Sequence, residues 1–178
     1  MRFWPNINID GIEYDLTHLI GKEFSYRRAA TQSYPERIVR FYVEYSNHCF
    51  TEHFGDHEYG HGADHEIRYF CSKRYEHSKG IYDLIKKVIS ENVFMQLTFN
   101  EHREQFYYLE EHYNNTDYRL FIEISKSNHA NSDVRLKVVS AYEPRPESAS
   151  VGGLGWFRFF KIVDARIAGI KIERKRRR

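Results

Sequence analysis

The chain has 178 residues, enough for one domain with a sizeable core and too few to suggest two independent ones. Its hydrophobic content of 41% with 16% aromatic residues excludes a disordered segment, and 14 Tyr with 13 Phe favour a sheet-rich fold. A net charge of +2 excludes an overall polycation, so any attraction to polyphosphate depends on where the charges lie.

In chain order, Asn6–Tyr14 reads as a short strand or arm turned at Asp10-Gly11, and Thr17–Ile20 as one helical turn. The polar stretch Ala29–Glu36, with Pro35, reads as a loop. Arg37–Phe50 alternates strongly and predicts a central strand, with Val39, Phe41, Val43 and Tyr45 on one face and Arg40, Tyr42 and Glu44 on the other. Glu52–Glu66 sets Gly55, Gly60 and Gly62 among acids and histidines, and Ile67–Cys71 is a short strand. Ser72–Asn92 carries apolar residues at helical spacing and predicts the main helix, weakened by Gly80. Val93–Phe99 and Glu104–Glu110 then form the arms of a hairpin.

From Asp117, Tyr118, Leu120, Ile122 and Ile124 alternate with Arg119, Phe121, Glu123 and Ser125. After the turn Ser127–Asp133, Val134, Leu136 and Val138 alternate with Arg135 and Lys137 on the way to Tyr142 and Arg145. Pro144, Pro146 and Ser148–Gly155 break the sheet, and Trp156–Ile172 closes the fold as a strand or amphipathic segment. The end of the chain is basic: Lys171, Arg174, Lys175, Arg176, Arg177 and Arg178. No run approaches the roughly 18 apolar residues of a membrane span, and the opening MRFWPNINIDG lacks an export signal. Cys49 and Cys71 are too few for a disulfide framework, so a cytoplasmic protein with reduced thiols is the simpler reading.

His53, His57, His61 and His65 recur every four residues, a spacing that would stack imidazoles for zinc on a helix. Three glycines within the segment argue against that helix, so a polar loop is expected and no metal is assigned. His48 and Cys49 point to opposite faces of a strand and cannot pair there; Cys49 with His53, or Cys71 with His77, is the remaining thiol–imidazole option. No GxSxG, P-loop, Rossmann or HExxH motif occurs. Arginines fixed on strands suit RNA chemistry, because a rigid cation stabilises charge developing at phosphorus with little reorganisation. Arg119, Arg135 and Arg145 are the candidates, with Lys137 weaker and with Tyr142 or His48 to move a proton; ion pairing with Glu123, Glu143 and Glu147 is the structural alternative.

The segment DYRLFIEI followed by VVSAYEPR resembles the strand pattern of RelE-type ribonuclease toxins over about thirty residues. That resemblance implies Arg119 at the RNA phosphate, Arg145 as the basic residue after the last strand and Tyr142 as the accompanying tyrosine. The turn Ser127–Asp133 is longer than in that family, and only one clear helix precedes the sheet. Over nearly its full length, through GIEYDLTHL, SNHCFT and RYFCSKRY, the chain is similar to a bacterial family found on phages and mobile elements, labelled stress or stationary-phase adaptation proteins. This second resemblance implies that Ser46–Thr51, Arg68, Arg74 and Ser140–Tyr142 form one shared feature.

The expectation is a single α+β domain over residues 1–178, RelE- or barnase-like, with an antiparallel sheet of about five strands packed by one main helix. Residues 1–36 form an N-terminal arm, 37–143 the sheet–helix core and 144–178 an extension with a basic tail. The expected activity is a cofactor-independent, metal-independent ribonuclease, a toxin or mobile-element effector, with Arg119, Arg145, Tyr142 and His48 catalytic. Arg135, Lys137, Arg74, Arg174, Lys175 and Arg176 would bind the nucleic acid. RNA, and an antitoxin or inhibitor protein, are the expected partners, with no membrane. The alternative is a phage-encoded regulatory module that binds RNA or protein without catalysis.

Overall fold

The computed structural model describes residues 4–30, 32, 35–61, 66–99, 105–113, 115–144 and 153–172. The first elements are a hairpin, β1 (Ile7–Ile9) and β2 (Ile12–Tyr14), a 3-10 turn (Thr17–Leu19), then β3 (Lys22–Arg28) and β4 (Arg37–Tyr45). A second 3-10 turn (Asn47–Cys49) leads to β5 (Thr51–Glu52), β6 (Glu58–His61) and β7 (Ile67–Phe70). Helices α1 (Ser72–Ser78) and α2 (Ile81–Glu91) follow, then β8 (Phe94–Phe99), β9 (Gln105–Tyr113), β10 (Thr116–Lys126) and β11 (Val134–Tyr142). The last elements are β12 (Trp156–Arg158) and α3 (Phe159–Ile167).

The expected five-stranded antiparallel sheet packed by one helix is corrected to a seven-stranded mixed sheet in the order β12-β8-β9-β10-β11-β4-β3. The mixture arises at one place. β11 lies parallel to β4, pairing Val134 with Phe41 through Val138 with Tyr45, while every other pair in this sheet is antiparallel. A parallel neighbour requires a long crossover, and everything from the second 3-10 turn through β10 lies between these two strands. β3 was not foreseen: its alternation of Lys22, Phe24 and Tyr26 with Glu23, Ser25 and Arg27 is masked in the sequence by charges, which also suit an edge strand. The histidine-rich segment supplies β5 and β6 of a separate three-stranded sheet, β5-β7-β6.

The single predicted helix is two helices. Tyr118 on β10 donates its hydroxyl to the carbonyl of His77 at 2.9 Å, which also accepts the Gly80 N–H at 3.2 Å in the turn between the helices. A Cβ added at Gly80 would stand 2.8 Å from that hydroxyl, so the close approach depends on glycine. Beyond the break, α2 buries Ile81, Leu84, Ile85, Val88 and Ile89, each such side chain contributing roughly 1.5–3 kcal/mol. They meet Val39, Phe41, Val43 and Tyr45 of β4 and Leu120, Ile122 and Ile124 of β10 in one core, which α3 closes with Phe159, Phe160, Ile162 and Val163. The opposite face of the large sheet carries no helix among the described residues.

An ion pair locks the β10–β11 turn to β4. Asp133 accepts from the Arg40 backbone N–H at 2.9 Å and from its guanidinium at 3.0 and 3.3 Å. The guanidinium hydrogen bond holds the Asp133 carboxyl below its ordinary value, against a smaller opposing effect of burial. Because folding depresses this value, the stabilisation is complete above about pH 4 and is lost as pH falls through the depressed value. Arg40 is half exposed, so Asp133→Asn is expected to cost only about 1 kcal/mol at pH 7, roughly 3 °C of melting temperature, and less at pH 2.5. Thermal denaturation at the two pH values measures this; an equal loss at both would assign the effect to packing.

Candidate functional site

The open face of the sheet is built by the odd-numbered positions of β10 and their cross-strand partners. Arg119 stands opposite Glu110 on β9 and Tyr142 on β11, and Phe121 opposite Tyr108 and Ser140. Strict alternation along β11 would send Tyr142 into the core, since it is an odd number of residues from Lys137. A β-bulge prevents this: Phe121 pairs with Ser140 and Ile122 with Val138, leaving Val139 as the extra residue. Tyr142 therefore shares the open face with Arg119.

The bulge is held from the β4 end. The Ser46 N–H donates to the Val138 carbonyl at 3.0 Å and its hydroxyl donates to the Val139 carbonyl. The Ser46 hydroxyl also caps the following 3-10 turn, accepting from the His48 N–H at 3.2 Å. The turn carrying His48 is thus pinned to the same bulge that turns Tyr142 outward. Arg74 on α1 completes the cluster: it donates to the carbonyls of His48 (3.0 Å) and Thr51 (2.8 Å), and its guanidinium lies 5.0 Å over the Tyr142 ring. From the other side Arg119 flanks Tyr142 as its cross-strand neighbour on β10.

Behind this cluster Arg68 is fully buried. It donates to the Thr51 hydroxyl (3.3 Å), the Thr51 carbonyl (3.2 Å) and Nδ1 of His53 (3.0 Å), with Glu66 at 4.0 Å. Burial, then the neighbouring Arg74 charge, draws its pKa below the ordinary value. The same His53 Nδ1 stands 3.2 Å from a Glu66 oxygen.

Arg119 is itself partnered. Its Nε and terminal nitrogen reach one Glu110 oxygen at 3.0 and 2.7 Å, and the Tyr108 hydroxyl donates to that same oxygen. These two partners, Tyr108 first, hold the Glu110 carboxyl below its ordinary value. Burial and the bond to Glu110 push Tyr108 up to about 12.

Of the predicted catalytic residues, Arg119 and Tyr142 come together; Arg74, predicted to bind nucleic acid, joins them, and His48 is tied to the cluster through its backbone carbonyl. Lys137 lies about 13 Å and Arg135 about 20 Å further along the face, opposite positions four and six residues down β10 from Arg119. There Arg135 pairs with Glu44 and with Glu123 (3.3 Å), and Lys137 with Glu123 (3.6 Å). Arg145, Arg174, Lys175 and Arg176 lie outside the described residues. Glu110 and Tyr108 were not anticipated; their signal was the even spacing along β9 that sets both opposite β10's outward residues.

Cys49 is buried, donates to the Val138 carbonyl at 3.7 Å, and has its thiol pushed up to about 12 by burial, which removes it as a nucleophile. Burial also raises Cys71. The histidines separate: His53 sits by Arg68, whereas His57 lies 3.8 Å from Asp10 on the β1–β2 turn. No group of three metal-ligating side chains occurs among the described residues. A cleft of about 340 Å³ between the hairpin and Phe70–Lys73 is bordered by His57 and Cys71 but by none of the residues predicted as catalytic or nucleic-acid-binding.

The fold and cluster define a mostly-β protein, not the expected α+β one, with a one-sided mixed sheet and a Tyr–Arg cluster, tied to the backbone of the His48 turn, at the end of its open face. Residues 6–167 match the sequence profile of the YjaZ family, and the chain belongs to that family. Comparison with curated proteins and with solved structures finds no match. The shared feature implied by the full-length resemblance is one physical unit, since Ser46, Thr51, Arg68, Arg74 and Tyr142 are joined by the contacts above. No helix among the described residues is long and apolar enough to cross a membrane.

Proposed function

We propose that this protein binds single-stranded RNA, without cleaving it, at the Arg119–Tyr142–Arg74 end of the open sheet face. The observation that carries the reading is the setting of Tyr142. One guanidinium side chain is its cross-strand neighbour, a second lies over its ring, and the Phe121 ring is nearly parallel to it, 20° off at 6.3 Å. Aromatic rings presented from strands stack on unpaired bases, and adjacent guanidiniums take phosphate. Carboxylates beside Arg119, Arg135 and Lys137 favour binding over catalysis, because each competes with the phosphate charge a nuclease must stabilise.

Cleavage is the second reading, favoured by one arrangement. Arg74 ties the backbone of the His48-bearing turn to the Tyr142 ring, so an imidazole and a phenol stand on adjoining segments that a proton transfer would require. In that case the likeness to RelE-type toxins would extend to function, and an antitoxin or inhibitor would be the partner.

A labelled eight-nucleotide single strand tests both readings. Binding is expected to weaken with rising salt and to fall about tenfold in Tyr142→Ala, the loss expected for one stacked base. Sequencing of RNA 5′ ends is expected to show no new termini. New ends lost with His48→Ala would replace binding by cleavage, and no affinity at low salt would end the RNA reading.

A further inference from the structure

A second aromatic cluster lies at the other edge of the same face. Trp156 is 57% exposed, Phe94 50% and Leu154 38%, an unusual amount of apolar surface at one sheet edge. It is linked to the first cluster by register. Trp156 pairs with Gln96, Gln96 with Tyr108, Tyr108 with Phe121, and Phe121 with Ser140, one continuous row across five strands. The middle is covered: Tyr108 is 7% exposed, and Gly153 approaches Gln96 so closely that an added Cβ would stand 2.2 Å from its Cδ. Two accessible stations remain, Trp156 with Phe94 and Phe121 with Tyr142, three strand spacings or about 14 Å apart along the row.

The chemistry of the edge matches that of the first station. The Arg158 guanidinium lies 4.0 Å over the Phe94 ring, oriented by its bond to the Asn92 carbonyl at 3.2 Å. Neither β8 nor the stretch from Gly153 to Lys161 contains an Asp or Glu, so cations and rings occur there without competing carboxylates from those segments.

We infer that the Trp156–Phe94–Arg158 edge is a second base-stacking station for a single-stranded RNA that runs across the strands from the Tyr142 cluster. The inference rests on the RNA reading above. The span fits the roughly four or more nucleotides that sheet-based single-strand sites cover. Cation-backed rings take any base, so this station adds affinity with little sequence preference.

A ten-nucleotide single-stranded RNA tests it by fluorescence titration. Exposed Trp156 should be quenched on binding, whereas Trp4, packed on Phe50 and Tyr59, should not. Trp156→Ala and Phe94→Ala should each weaken binding by about tenfold. Both side chains are half exposed, so neither truncation should unfold the protein. Unchanged affinity in both variants, with Tyr142→Ala still weakened, overturns the second station and leaves the RNA reading standing. No binding by the wild-type protein overturns both. Light scattering that shows a dimer lost in Trp156→Ala, with RNA affinity intact, assigns the edge to a second copy of the chain and overturns the inference.

Discussion

Arg68→Ala is expected to lower the melting temperature by about 10 °C, from a loss of roughly 3–5 kcal/mol in a protein of this size. The Arg68 side chain is 1% exposed and spans β7 to β5, so no water stands ready to replace it. Truncation leaves the Thr51 hydroxyl, the Thr51 carbonyl and His53 Nδ1 each short of a donor, and leaves a void where the largest fully buried side chain had been. Arg74 still reaches the Thr51 carbonyl, which keeps the loss below the sum of three broken bonds. Arg68→Met should fall between, since it keeps volume but not the donors. Calorimetry on the three proteins decides the matter; a shift under 2 °C for the alanine variant would mean that Thr51 and His53 are satisfied without Arg68.

At the open face, Glu110→Gln and Arg119→Ala are expected to move RNA affinity in opposite directions. Glu110 is the carboxylate on Arg119, and removing its charge releases the guanidinium to phosphate. Glu110 is half exposed but the Arg119 side chain is only 9% exposed, so the gain should be at least the roughly two- to fivefold value of an exposed ion pair. Arg119→Ala removes the cation that borders Tyr142 and should weaken binding tenfold or more, as expected for a charged hydrogen bond. The pH dependence adds a check. Glu110 is held below its ordinary value, so it stays charged throughout pH 5–8 and the advantage of the glutamine variant should be constant there. Weaker binding by Glu110→Gln at neutral pH would show instead that Glu110 positions Arg119 for the ligand.

Most elements could be read along the chain because burial imposes its period locally. Val39, Phe41, Val43 and Tyr45 turn inward as their alternation requires, and so do Tyr118, Leu120, Ile122 and Ile124. The apolar stripe of α2 is equally plain. The likeness through SNHCFT and RYFCSKRY brought Thr51, Arg68 and Arg74 into view, although nothing local says that Arg68 is buried.

Three features of the site have no local signature. The bulge at Val139 decides which face Tyr142 occupies, and it depends on Ser46, 93 residues away, meeting the exposed carbonyl. The helix break before Gly80 depends on a hydroxyl from Tyr118, 41 residues on from His77. Whether an arginine is a free cation or half of an ion pair depends on its neighbour across the strand, as Glu110 is for Arg119 and Glu44 for Arg135. Periodicity is imposed by each residue's own burial and can be read one segment at a time. Partnership is imposed by strand order and register, and these exist only after distant segments have packed.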